Sequence, residues 1–362
     1  MTLLAIAIFA LVGLALGLAA HARWRVWALM GVSILSLYWL QPATALRNAD
    51  FWLPTTALLL TALSWTVIRP QDGNSARSTR LSLALMGLIP LVLVGLRYLP
   101  WDFYLTATRP PSFLQAGLAL VVSSLLIVIL TFFRSRSSRW ILLPAGLLIG
   151  LFIVLKTEPL ATAASSWARG LTGQNPALAD PLDLTWLGFS YFAFRLLHTL
   201  RDSAAGRLPS MSASEYVTYV LFFPALPAGP IDRAERFIKD LRSGVRLTPS
   251  RTLEAGIRVV VGIFKKFVLA DGLAIMALNA ANAASVESTL WLWVLLYAYA
   301  LRIYLDFSGY TDVAIGLGML AGINLPENFD HPYSRINLTS FWNSWHITLA
   351  AWFRAYFFNP VT

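Results

Sequence analysis

The residues able to do chemistry are concentrated between Tyr297 and Phe358, in sequence that is otherwise apolar enough for hydrocarbon. This stretch carries DFSGYTDVAIGLG from Asp306 to Gly318, ENFDHPY from Glu327 to Tyr333 and FWNSWHITLAAWFRAY from Phe341 to Tyr356. Ionisable groups at membrane depth are costly and mark working sites more often than filler. Read as one helix at about 100° per residue, the last motif puts Thr339, Asn343, His346, Ala350 and Arg354 on one stripe. Trp342, Trp345, Leu349, Trp352 and Tyr356 form a second stripe, which reads as packing or interface anchoring. A lone His is usually a hydrogen-bonded core residue. Flanked by Asn343 and Arg354 at membrane depth, His346 instead reads as the candidate catalytic residue. Its neutral imidazole can take a proton from an alcohol, and Asn343 can donate to a developing oxyanion.

Asp306 and Asp312 flank Ser308, Gly309 and Tyr310. That spacing predicts a glycine-enabled break between two helical pieces, with the carboxylates capping the second. The alternative is a site that orients an acceptor or pairs with a cation. A Ser308, His346, Asp306 triad exists on residue types but has no elbow motif around the serine. The adjacent Lys265 and Lys266 either snorkel to an interface or contact an anionic donor such as a phosphate-bearing cofactor.

These groups must be positioned by membrane helices. With 57% hydrophobic and 13% charged residues, the chain lies outside the range of soluble globular domains and reads as polytopic. It has no cysteine, which excludes disulfides, thiolate nucleophiles and Cys-based zinc sites. Four histidines, His21, His198, His331 and His346, leave little scope for a His-rich metal centre, and no metal is expected. The net charge of +10 is spread between apolar runs, so it reads as an orientation signal and not as a nucleic-acid footprint.

Apolar runs at Leu3 to Ala20, Trp24 to Leu40, Phe51 to Ile68, Leu81 to Leu99, Phe113 to Phe133 and Trp140 to Leu155 predict spans, some marginal in length. The first lacks a basic n-region and a cleavage site, so it reads as a retained span and not a signal peptide. Arg23 and Arg25, then Arg69, Arg77 and Arg80, then Arg134, Arg136 and Arg139 crowd alternate loops. The loops between them hold only Arg47, or Arg109 with Asp102. The positive-inside bias then predicts an extracytoplasmic N-terminus and puts Lys156 to Asp183 on the outer side. Leu184 to Leu200 contains Arg195 and His198, and Tyr216 to Ile231 is too short and proline-broken for an ordinary span, so a re-entrant segment is predicted. Leu253 to Ala284 and Leu290 to Leu305 complete the apolar runs.

In order and spacing, six motifs resemble the membrane-bound O-acyltransferases (MBOAT), in the bacterial branch of alginate O-acetylation and teichoic acid D-alanyl transfer proteins. They are GFSYFAFRLLHTLRD from Gly188, FFPALPAGPI from Phe222, GIFKKFVLAD from Gly262, DFSGYTDVAIGLG from Asp306, PENFDHPY from Pro326 and FWNSWHITLAAWFRAY from Phe341. The resemblance runs from about Leu148 onward and implies an all-α polytopic integral membrane protein. Residues 1–140 then hold N-terminal helices, and residues 141–362 hold an MBOAT-type helical core with re-entrant segments.

It implies transfer of an acyl group such as acetyl from a cytoplasmic thioester donor, acetyl-CoA or an acyl carrier, toward a hydroxyl of an extracytoplasmic polysaccharide or glycopolymer. A bacterial inner-membrane location and an extracytoplasmic acyltransferase partner follow from the same likeness. His346 stands where the family has the His of its WHxS segment. Asp306, Ser308, Tyr310, Asp312, Asn328 and Arg354 match the flanking motifs. Ala355 replaces an acidic residue common after the arginine, and Asn343 with Ser344 replaces a common basic pair. Family members continue into spans with a Gly-Leu-Trp-His-Gly-like segment carrying the hallmark His, which this chain lacks. The ending reads as premature truncation, and a fragment, a split gene or a degenerate homologue each accounts for it. The competing reading is an inactive scaffold, or a transporter or flippase subunit of a polysaccharide export complex. A transporter is expected to show related halves, and none is visible.

Overall fold

The computed structural model describes residues 1–19, 24–69, 76–100, 103–134, 138–244 and 247–359. His21, Arg23, Asp102 and Arg136, and the side chains of Arg134 and Arg139, therefore lie outside the described residues. The chain is all-α, with α1 (Leu3–Leu18), α2 (Arg25–Trp39), α3 (Ala49–Ile68), α4 (Ala76–Gly95) and α5 (Phe113–Arg134). After these come α6 (Leu142–Lys156), α7 (Glu158–Leu171), α8 (Phe189–Ala204), α9 (Ala213–Leu221), α10 (Ala234–Ser243) and α11 (Pro249–Ile263). The remainder is α12 (Asp271–Ala274), α13 (Ala280–Ser285), α14 (Thr289–Leu320), α15 (Leu338–Ser344) and α16 (Ile347–Phe353).

Among the described residues, four helical stretches are long and apolar enough to cross a membrane, at Ala49–Ile68, Ala76–Tyr98, Phe113–Phe133 and Thr289–Leu320. The pair α6 and α7, bent by 100°, makes a fifth if it counts as one broken span. The six apolar runs of the first 155 residues are thus helical as expected. However, α1 and α2, with 16 and 15 residues, are shorter than the ~17–25 residues of an ordinary span. Leu114, Leu118, Val121, Leu125 and Phe132 of α5 are exposed, an apolar surface suited to lipid. Arg25 is corrected. It opens α2 and is 1% exposed, so it is not the loop cation the charge count assumed.

The chain forms two compact units, residues 23–227 with 233–238, and residues 1–22 with 228–232 and 239–362. In the former, α2, α3, α4, α8 and α9 bury Leu29, Ile34, Tyr38, Trp65, Phe192 and Tyr216. The expected proline-broken segment is real. A reciprocal Ser212 and Glu215 capping box starts α9, and the helix stops at Phe222. Buried Arg195 donates to the carbonyls of Tyr219 and Val220 at 3.2 and 3.1 Å, and to Ala225 at 3.2 Å. Those carbonyls have lost their helical partners, so a buried guanidinium is what lets irregular backbone persist inside an apolar core. His198, three residues after Arg195 on α8, bonds the Tyr219 hydroxyl through Nδ1 at 3.1 Å.

The segment after α7 folds back through Asp183, which accepts from Arg169 Nε and Nη2 at 2.6 and 3.0 Å and from Ser165 Oγ at 2.6 Å. Burial raises the Asp183 carboxyl, but the Arg169 and Ser165 hydrogen bonds outweigh it and hold the group below the usual carboxylate range. A depressed native pKa adds stability that is full above about pH 4 and lost as pH falls through the native value. Asp183→Asn is therefore expected to lower the thermal midpoint in detergent by several degrees at pH 7. It should also flatten the acid side of the stability profile, as read by a thermal scan at pH 3 to 7.

Candidate functional site

The site lies wholly in the unit that contains α11 and α14. These helices pack through small residues. A Cβ placed on Gly309 falls 2.8 Å from the Gly262 carbonyl oxygen and 2.9 Å from Lys265 Cβ, and one on Gly316 falls 2.8 Å from the Ala255 carbonyl oxygen. Glycine is required here for close backbone approach. Immediately after α11 the chain widens into a π-helical turn, Phe264–Ala270, a feature concentrated at functional sites. The turn aims two neighbouring lysines at two carboxylates of α14. Lys265 Nζ bonds Asp312 Oδ2 at 2.7 Å, and Lys266 Nζ pairs with Asp306 Oδ1. The expected cation pairing is therefore present.

The expected helix break is not. α14 runs unbroken for 32 residues, about 48 Å at ~1.5 Å per residue, so neither Asp306 nor Asp312 caps a second piece. Gly309 serves the α11 contact and not a turn. The Ser308, His346, Asp306 triad also fails. Two residues apart on one helix, Asp306 and Ser308 point about 200° apart, and Asp306 is engaged by Lys266 while Ser308 lines a cavity.

That cavity, about 340 Å³, is walled by Arg258, Lys265, Tyr304, Ser308, Thr311, Asp312, Glu327, Phe329, Asp330 and His331. Arg258 reaches Asp312 Oδ1 through Nε and Nη2 at 3.1 and 3.0 Å, and Glu327 Oε2 through Nη2 at 2.5 Å. Ser308 is 4% exposed, and its Oγ has no hydrogen-bond partner among the described residues. Asp330 pairs with Arg335, and His331 Nδ1 lies 3.2 Å from its Oδ1. The His331 hydrogen bond first, and Arg335 after it, hold the Asp330 carboxyl below its ordinary range. Tyr310 is buried on α14 and does not line the cavity.

The last motif is also not one helix. It divides at Trp345 and His346 into α15 and α16, followed by a π-turn at Arg354–Phe358, so the five-residue polar stripe does not exist. His346 sits at the break with φ 45°, in the left-handed region, which costs a non-glycine residue roughly 1–2 kcal/mol. Asn328 to Asp330 hold it there. The Asn328 carbonyl accepts from Ile347 N at 2.9 Å, Asp330 N donates to the Ser344 carbonyl at 3.0 Å, and Phe329 bridges Trp345. The Asn328 side chain, fully buried, accepts from Thr348 Oγ1 at 2.6 Å. The imidazole stands edge-on to Phe307, centroids 4.8 Å apart, and Phe307 packs in turn on Phe329 in the cavity wall at 5.0 Å. Arg354 and Asn343 remain neighbours, Nη2 to Oδ1 at 3.5 Å, both exposed. The same break divides the aromatic stripe: Trp345 is packed among Phe329, Phe341 and Tyr304, whereas Trp342 is exposed.

Sequence reasoning missed Arg258, Thr348 and the role of Glu327. Arg258 left a signal, a lone cation in an apolar run seven residues before Lys265 and so on the same helical face.

The MBOAT family model, the membrane-bound O-acyltransferase family, matches residues 140–362, more than half of the chain and the whole of this site. The chain belongs to the membrane-bound O-acyltransferase family. It is 36% identical over 180 residues to a teichoic acid D-alanyltransferase of Bacillus subtilis, covering 48% of this chain and 45% of that protein. It is 32% identical to the probable alginate O-acetylase AlgI of Pseudomonas syringae pv. tomato, over 61% of this chain and 42% of that one. To a peptidoglycan O-acetyltransferase of Helicobacter pylori it is 36% identical, over 41% and 28%. This MBOAT chain thus spans less than half the length of each of these relatives.

Proposed function

We propose that this MBOAT chain carries part of the acyl-transfer site of a multi-pass bacterial inner-membrane O-acyltransferase with an extracytoplasmic N-terminus. An acyl group such as acetyl passes from a cytoplasmic thioester, acetyl-CoA or an acyl carrier, to a hydroxyl of an envelope polysaccharide or glycopolymer. An extracytoplasmic partner protein can receive it on the way. Named relatives that D-alanylate teichoic acid or O-acetylate alginate or peptidoglycan support the substrate class.

One observation carries the reading. The family-matched region holds His346 in a left-handed turn clasped by Asn328 to Asp330, one aromatic layer behind a polar cavity in membrane-grade sequence. An ordinary histidine, pKa about 6.5, is mostly neutral at pH 7 and can accept a proton. In the proposed step the acceptor oxygen forms a bond to the thioester carbonyl carbon and His346 takes the hydroxyl proton. The carbon–sulfur bond then breaks, and the thiol leaves with that proton.

The test is deletion of the gene in its own host, with alkaline release of ester-linked acyl groups from each envelope polymer. The reading expects one polymer to lose its esters and regain them on complementation. Unchanged ester content in every polymer favours a scaffold or transporter instead.

A further inference from the structure

Asp312 is one carboxylate between two cations, with Lys265 on Oδ2 at 2.7 Å and Arg258 on Oδ1 at 3.0 Å, which leaves one positive charge over at the cavity wall. Glu327 meets that charge. Its attachment is different in kind, because the Asp312 side chain is 14% exposed on a rigid helix, whereas that of Glu327 is 53% exposed on the segment after α14 and touches Arg258 through one oxygen. An exposed single-oxygen ion pair is weak and easily exchanged. Beside it are donors with capacity to spare. Lys265 uses one of its three ammonium protons on Asp312. Ser308 Oγ lines the same cavity, buried and without a partner among the described residues. Once Glu327 moves aside, and with Asp330 in the same wall neutralised by Arg335, the guanidinium, the ammonium and the hydroxyl surround one net positive charge, which suits an anion with several oxygens better than one carboxylate.

We propose that this cavity is a phosphate-ester seat in which Glu327 is a displaceable stand-in. The ligand moves Glu327 aside and bonds Arg258, Lys265 and Ser308, while Asp312 keeps both cations aimed inward. Resting on the acyltransferase reading, the inference assigns the seat to the phosphate that joins the pantetheine arm of a thioester donor to its carrier.

The test is calorimetric binding of 4′-phosphopantetheine, and of pantetheine lacking the phosphate, to the full chain in detergent. Glu327→Gln removes the competing charge from an exposed position. It is expected to tighten 4′-phosphopantetheine by at least about threefold, with no gain for pantetheine. Arg258→Gln, in chain shown to be folded by its thermal transition, is expected to weaken it by tenfold or more. Equal affinity of wild type and Glu327→Gln for 4′-phosphopantetheine, or equal binding of pantetheine, overturns the seat. If dihexanoyl phosphatidic acid responds to Glu327→Gln and 4′-phosphopantetheine does not, the anion is a lipid headgroup and the donor assignment falls. Binding needs no turnover. A chain that binds but never transfers acyl groups fails the acyltransferase reading, and one that transfers with no Glu327 effect fails this inference alone.

Discussion

Replacing His346 with asparagine in the full reading frame containing this chain is expected to lower acyl transfer by about 10²–10⁴-fold, the usual contribution of a positioned proton acceptor. Asparagine is the informative choice because it tolerates the left-handed backbone that His346 adopts, φ 45°, whereas most residues do not. The clasp from Asn328 to Ile347 and from Asp330 to Ser344 is made by main chain and survives the change. Loss of activity with unchanged membrane abundance then reports the imidazole, not the fold. His331 is the second histidine in this conformation. It lines the cavity and bonds Asp330, so His331→Asn reports on the cavity wall and is compared with His346→Asn as a separate variant. Unchanged transfer in His346→Asn removes His346 from the mechanism.

Gly309→Val is expected to prevent the membrane unit from folding. The added Cβ meets the Gly262 carbonyl oxygen at 2.8 Å and Lys266 N at 2.9 Å, and these are backbone atoms of α11 and the π-turn that cannot step aside like a side-chain tip. Overpacking a tight contact costs typically ~1–3 kcal/mol when neighbours can adjust. Here the helices must separate, which also pulls Lys265 from Asp312 and Lys266 from Asp306. Gly256→Ala in the same α11 meets no atom within 4 Å, and is expected to be neutral or stabilising by about 0.5–1 kcal/mol because alanine is the better helix former. Thermal midpoints in detergent separate the two. Similar midpoints for Gly309→Val and wild type contradict the close-approach account of the seam.

The elements were legible because apolar run length is a strong signal, and α3 and α5 appear almost where hydropathy ends them, while α4 starts five residues before its predicted run. The polar chemistry was legible as a set of residues but not as an arrangement. Gly309 suggested a hinge because glycine usually means backbone freedom, and only the packed structure shows that it admits a neighbouring helix. His346 suggested a mid-helix stripe because nothing local marks the break. The break is imposed from elsewhere by Asn328 to Asp330, with Asn328 reaching Thr348 across 20 residues of sequence. The pairing of Lys265 with Asp312 spans 47 residues and depends on a π-turn that periodicity at 3.6 residues cannot represent. Arg195 was visible as a costly cation, but its carbonyl partners across the α9 break were not.

The proposed transfer of acyl groups from a thioester to a hydroxyl can be read in the membrane itself. The most direct measurement uses inverted membrane vesicles from the host, which expose the cytoplasmic face. They are given radiolabelled acetyl-CoA or a labelled acyl-carrier thioester, and base-labile label is counted in the polymer fraction. Time-dependent ester label from at least one donor is expected, lost in the gene deletion and in His346→Asn. Label that is equal in wild-type and deletion vesicles for both donors contradicts the proposed transfer.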